Sequence, residues 1–202
     1  MQWTMQPLVR LTVILSFVFV ATSTSYAAPE DIGVPRDFAS TFIPYATVDK
    51  RDREPNVVRF MYINPEATES ANDRSLPEGT QIVMVERLVE TAENGETIFD
   101  ENGQMIPKEE VYRIVVSEKR PGIGAEYDED MRIGDWEFGV FQPDGAPWPD
   151  VNFAECRECH QRASKTDFTF SVFHNLSKVH NEQRPAEPAK ASQFAAQKTP
   201  VF

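Results

Sequence analysis

The chain reads as an α+β domain, mainly β, with one antiparallel sheet and flanking helices. Three observations carry that reading. Four short runs are rich in β-branched and aromatic residues, turn signals separate them, and a later stretch loses β alternation.

The elements follow in chain order. Residues 28–55 contain Pro29, Pro35, Pro44 and Pro55 and read as a short helix or loop. Residues 57–63 (VVRFMYI) form the first strand. Asn64-Pro65-Glu66 supplies a cap, a proline at the first helical position and an acidic first turn, which predicts a short helix over 65–73. Pro77-Glu78-Gly79 turns the chain into a second strand, 81–89 (QIVMVERLV). A regular strand there puts Ile82, Met84 and Leu88 on one face, which reads as apolar. Asn94-Gly95 and Asn102-Gly103 are hairpin-type turn signals. The third strand, 112–118 (YRIVVSE), alternates Tyr112, Ile114 and Val116 on one face. The fourth, 136–141 (WEFGVF), alternates Trp136, Phe138 and Val140. The acidic run at 126–130 reads as a solvated loop, with a docking surface for a basic redox partner as the alternative. Residues 153–181 read as a helix, a loop around 165–167, and a second helix.

The 202 residues allow one domain of ordinary size plus terminal segments. A formal charge of −12 argues against nucleic acid and against an anionic membrane face, since both need a basic surface. Two cysteines are too few for a disulfide-rich scaffold or a four-cysteine zinc site. Residues 1–27 carry Arg10, an apolar run and the small residues Ser25 and Ala27 at the −3 and −1 positions of a cleavage site. They read as a secretory signal, and the alternative is an uncleaved anchor. The apolar run is short for a span of about 20 residues. The expected product is exported to the periplasm and keeps no membrane span after cleavage. Residues 182–202, rich in Pro, Ala, Lys and Gln, read as a disordered tail, leaving 28–181 as the domain.

Both cysteines fall in one motif, Cys156-Arg157-Glu158-Cys159-His160. Cys-x-x-Cys-His is the attachment signature of a c-type haem. Thiols three residues apart share one side of a helical turn and can add to the two vinyl groups of one macrocycle. The adjacent imidazole of His160 then reaches the iron. Competing readings are a disulfide, a thioredoxin-type redox pair, which wants a βαβ context, and zinc, for which only His174 and His180 remain as histidines. Phe153, Phe168, Phe170 and Phe173 flank the motif, as core or as the apolar surround of the ring; Trp136 and Trp148 allow the same two readings.

A haem motif placed late, after a sheet, resembles the cytochrome P-460 family, which includes the cytochrome c'-beta proteins. The resemblance covers about residues 35–180. It rests on Phe60-Met61-Tyr62-Ile63-Asn64-Pro65, Leu76-Pro77-Glu78-Gly79-Thr80, Gly134-Asp135-Trp136-Glu137-Phe138 and Lys165-Thr166-Asp167-Phe168-Thr169-Phe170. It implies one pentacoordinate haem c on Cys156, Cys159 and His160, an open distal side and a homodimer. Members with a lysine cross-linked to the haem oxidise hydroxylamine; relatives without it bind nitric oxide and other small gases. In this chain the lysine's place falls on Met84, whose thioether cannot repeat that amine chemistry, and Lys108 and Lys119 lie elsewhere. Met84 reads as an apolar wall or core residue, or as a sixth iron ligand. Asp150 and Glu155 are the acidic candidates for a proton acceptor, beside the reading that they are simply solvated. His174 and His180 are candidate distal ligands or surface histidines. The function implied is binding of nitric oxide or a related small nitrogen ligand, with one-electron redox. The rivals are a hydroxylamine or nitric oxide oxidoreductase and a six-coordinate electron-transfer cytochrome.

Overall fold

A computed structural model describes residues 32–70 and 74–182. The signal-peptide reading of residues 1–27 lies outside the described residues, as does the tail from 183 onward. The elements in chain order are α1 (Phe38–Thr41), β1 (Ile43–Lys50), β2 (Val57–Ile63), α2 (Pro65–Ser70), β3 (Gln81–Val89), β4 (Pro107–Lys119), β5 (Trp136–Phe141), α3 (Phe153–Gln161) and α4 (Val172–Glu182). The five strands form one sheet in the order β1-β2-β3-β4-β5, every neighbouring pair antiparallel. This is the α+β, mainly β architecture the sequence predicts.

Three details differ from that prediction. Residues 43–50 form an edge strand rather than a helix or loop, with a register shift between Pro44 and Ala46. An edge strand tolerates proline because one row of its backbone groups needs no ladder partner. β4 begins at Pro107, well before 112, and its ladder with β3 shifts register between Glu86 and Arg87. Val111, rather than Tyr112, therefore packs with the cluster that holds Ile114 and Val116, while the Tyr112 ring lies 5.3 Å from that of Trp148. Within the acidic run, Tyr127 is buried while Asp128, Glu129 and Asp130 are exposed.

The register arranges side chains in rows across the sheet. Met61, Met84, Val115 and Val140 form one row on the front face. Ile63, Ile82, Ser117 and Phe138 form the next, and Arg59, Glu86 and Arg113 the one on the other side. Glu86 shares the face of Ile82 and Met84, so that face is not uniformly apolar as expected. On the back, Val83, Val85, Ile114, Val116 and Phe141 pack against Ile32 and Phe38 of the N-terminal segment. Gly139 makes that packing possible: a Cβ there would stand 2.9 Å from Ile32 Cγ2 and 2.6 Å from Phe141 Cε2. The front is covered only in part, by α4 and by the segment that carries α3.

Candidate functional site

Between the front of the sheet and α3 lies a cavity of about 800 Å³. That is within the range of roughly 300–1,000 Å³ typical of ligand sites. Its sheet wall is built from Met61, Ile82, Met84, Val115, Phe138 and Val140. Its opposite wall carries Cys156, Cys159 and His160 of α3 with Phe168 and Phe170 of the following turn. Arg53, Arg59, Arg113 and Lys50 give it a basic side, and Tyr45, Trp136, Trp148, Asp150 and Glu155 are among the other lining residues.

α3 presents the motif because of its helical period. Positions 156, 159 and 160 are one turn apart and share a side. Arg157 points elsewhere and anchors the helix. It is 2% exposed, and its Nη2 donates to Glu137 Oε1 at 2.6 Å. Its guanidinium lies 3.5 Å from the centre of the Tyr127 ring, and the Tyr127 hydroxyl donates to the other Glu137 oxygen. Glu137 belongs to β5, so a buried ion pair pins the haem-motif helix to the edge of the sheet.

The imidazole is set by the turn after α3. Phe168 O lies 2.6 Å from His160 Nδ1. A carbonyl can only accept, so Nδ1 carries the proton and Nε2 keeps its lone pair for a metal. Burial holds the imidazole below its ordinary pKa, with Arg59 adding to the effect and the Phe168 hydrogen bond opposing it. Asp167 and Phe168 both have positive φ, 52° and 58°, a conformation that costs free energy in residues with a Cβ. Two contacts hold it. Phe168 packs against Gly134, where a Cβ would come within 2.9 Å of its ring. Asp167 Oδ2 accepts from Lys119 Nζ at 2.8 Å and from Leu76 N at 2.9 Å. Lys119 also donates to the Leu76 carbonyl at 2.7 Å and to Ser75 Oγ at 3.1 Å, which uses all its protons.

The other sequence candidates fall as follows. Met84 lines the cavity, directly opposite Met61 on β2, a partner that sequence reasoning passed over. Asp150 and Glu155 reach the cavity rim but are exposed, and Glu155 accepts from Asn152 Nδ2 at 2.9 Å. His174 is exposed on α4 and does not line the cavity. The side chain of His180 lies outside the described residues. Of the flanking aromatics, Phe168, Phe170, Trp136 and Trp148 line the cavity, while Phe153 and Phe173 pack on the front core. Both cysteines are free thiols. Burial pushes the Cys156 thiol up, with Glu155 adding to the effect, opposite to the activation a redox cysteine needs. Among the described residues no group of three or more His, Cys, Asp and Glu could hold a metal ion directly.

The family model for cytochrome P460 matches residues 35–171, more than half of the chain. The chain belongs to the cytochrome P460 family. Membership makes this cytochrome P460 relative a haem c cytochrome, and its residues fit that group. The cavity is of ligand size, its walls are mostly apolar, and a neutral imidazole faces in beside the motif's thiols. The basic side suits the carboxylates of a macrocycle. No curated protein matches the sequence. Among the described residues, no helix is long and apolar enough to cross a membrane.

Proposed function

We propose that this member of the cytochrome P460 family is an exported c-type cytochrome. It holds one haem through Cys156 and Cys159 and binds nitric oxide or a related small nitrogen ligand at an open sixth position. One observation carries the reading. His160 lines the cavity with Nδ1 tied to the Phe168 carbonyl and Nε2 left to a metal, and Met61, Met84, Val115 and Val140 of the sheet wall are a row of apolar side chains. The bound haem would supply an iron able to take a diatomic ligand and to exchange one electron. The chain's part would be to hold the His160 imidazole for the iron, to exclude water with its apolar sheet wall, and to offer Met84 rather than an amine on that wall. The Phe168 carbonyl raises the basicity of the imidazole, as a partner of this kind does in other metal sites. Arg53, Arg59 and Arg113 share the single carboxylate of Glu86, so their remaining donors would meet the haem carboxylates.

The test is an optical spectrum of the purified exported protein: oxidised, reduced, and reduced with carbon monoxide. A high-spin spectrum that shifts with carbon monoxide supports an open site. A low-spin spectrum that ignores carbon monoxide overturns it and points to an electron-transfer cytochrome with a filled sixth position.

A further inference from the structure

Two buried polar atoms on the cavity wall have no hydrogen-bond partner among the described residues: Tyr45 Oη and Trp136 Nε1. Tyr45 is 6% exposed and Trp136 2%. Buried donors are nearly always paired, so each calls for an acceptor that the described residues do not supply. The two lie on opposite edges of the sheet, Tyr45 on β1 and Trp136 on β5. Four strand spacings separate those edges, roughly 19 Å. His160 sits at the β5 edge, with its ring 4.7 Å from that of Phe138. Trp136 belongs to the same strand as Phe138, and Lys119 Nζ lies 6.0 Å from its ring. Tyr45 is thus carried by the edge strand farthest from the one whose Phe138 the imidazole packs on, with Met61 and Met84 on the strands between.

We propose that the Tyr45 hydroxyl donates a hydrogen bond to the small molecule held on the side of the cavity away from His160, and so selects ligands whose terminal atom accepts one. The proposal rests on the haem reading above. Three features favour this acceptor over a haem carboxylate. The carboxylates have the basic side of the cavity, where Arg53, Arg59 and Arg113 outnumber the single Glu86 that pairs with them. Tyr45 instead packs in the apolar front core, in the same cluster as Ile63, Ile82 and Leu176. A neutral donor in apolar surroundings suits an uncharged acceptor, because a charge placed there would lose its hydration. Burial, opposed in part by the charge of Arg59, also keeps the hydroxyl protonated far above its ordinary range, so it remains a donor at any physiological pH.

The experiment uses the haem-loaded protein, its Tyr45→Phe variant and the back-face variant Ile114→Val as a comparison, with nitric oxide as the probe and carbon monoxide as a poorer acceptor. Haem content is measured first in all three. Tyr45→Phe keeps the ring and its packing and removes only the donor. The expected result is nitric oxide release about 3- to 10-fold faster than in the parent, the range of one net hydrogen bond. The N–O stretching band should shift, and carbon monoxide release should change less. Ile114→Val should leave the nitric oxide complex as in the parent, because Ile114 belongs to the back core and does not line the cavity. Equal release rates and equal bands in parent and Tyr45→Phe, with haem bound in both, overturn the proposal and leave the haem reading standing. A changed reduction potential with an unchanged nitric oxide complex also overturns it, because the hydroxyl then serves a haem carboxylate. A parent protein that takes up no haem brings down both readings together.

Discussion

The two faces of the sheet are built to different rules. On the back, Val83, Val85, Ile114 and Val116 are each at most 2% exposed and pack together in one apolar cluster. On the front, apolar rows alternate with charge. Glu86 is wholly buried between Arg59 and Arg113, and Lys119 and Asp167 form a second pair at the far end. Between these pairs lies a cavity with two unpartnered donors. The back face is a core that closes on itself. The front face has every cost of burial and too few partners, the pattern expected of a surface completed by something other than the chain.

The difference can be broken hardest at Lys119. Lys119→Met leaves the mostly buried Asp167 without its cation, and removing one member of a buried pair costs up to about 3–5 kcal/mol. The same change frees the turn that offers Phe168 O to His160. Urea unfolding should show the loss of stability, and the haem-loaded protein should show an altered iron spectrum. A large stability loss with an unchanged spectrum would separate the clamp from the imidazole.

On the back face, Ile114→Ala should cost roughly 3 kcal/mol, typical of a buried aliphatic truncated to alanine. Its spectrum and ligand kinetics should match the parent, because Ile114 is 2% exposed and does not line the cavity. A spectral change there would mean that the two faces are not independent.

Gly134→Ala tests the turn from its other side. Gly134 has φ +63°, and an added Cβ would meet the Phe168 ring at 2.9 Å. Strain of about 1–3 kcal/mol is expected. The reduction potential should move as the Phe168 carbonyl shifts away from Nδ1. An unmoved potential would show that the ring yields and the carbonyl stays.

Local signals and long-range pairings differ in how far the sequence discloses them. The strands at 57–63, 81–89 and 136–141 are legible because each is a dense run of β-branched and aromatic residues bounded by turns. The turns at Gly95 and Gly103 are legible too, since both need positive φ. β1 is hidden by Pro44 and by the charges Asp49 and Lys50, which an edge strand accepts and a central strand does not. The motif residues at 156, 159 and 160 are legible as a helical face. The ties that aim them are not, because Arg157 meets Glu137, and Lys119 meets Asp167, only after folding. One signal was available: a glutamate inside the apolar run QIVMVERLV, on the same face as Met84, is a charge that must find partners.

The smallest expected effect on stability is at Met84, and there it decides most about the site. Met84 is half-buried on β3, opposite Met61, with Val115 on the far side. Met84→Leu keeps volume and apolarity, so it should cost less than about 1.5 kcal/mol. If Met84 is wall, the oxidised spectrum and the carbon monoxide complex stay as in the parent. If its sulfur occupies the sixth position of the iron, leucine cannot replace it. A low-spin parent would then become high-spin and gain carbon monoxide binding, with a large fall in potential. Met61→Leu is the internal comparison, since both thioethers share one cross-strand row and only one could reach a single iron site. An unchanged spectrum in both variants leaves the Met61–Met84 row as an apolar wall, with Tyr45 the unpartnered donor at the β1 edge. That would place ligand selection in a hydroxyl at the sheet's edge rather than in a sulfur at its centre.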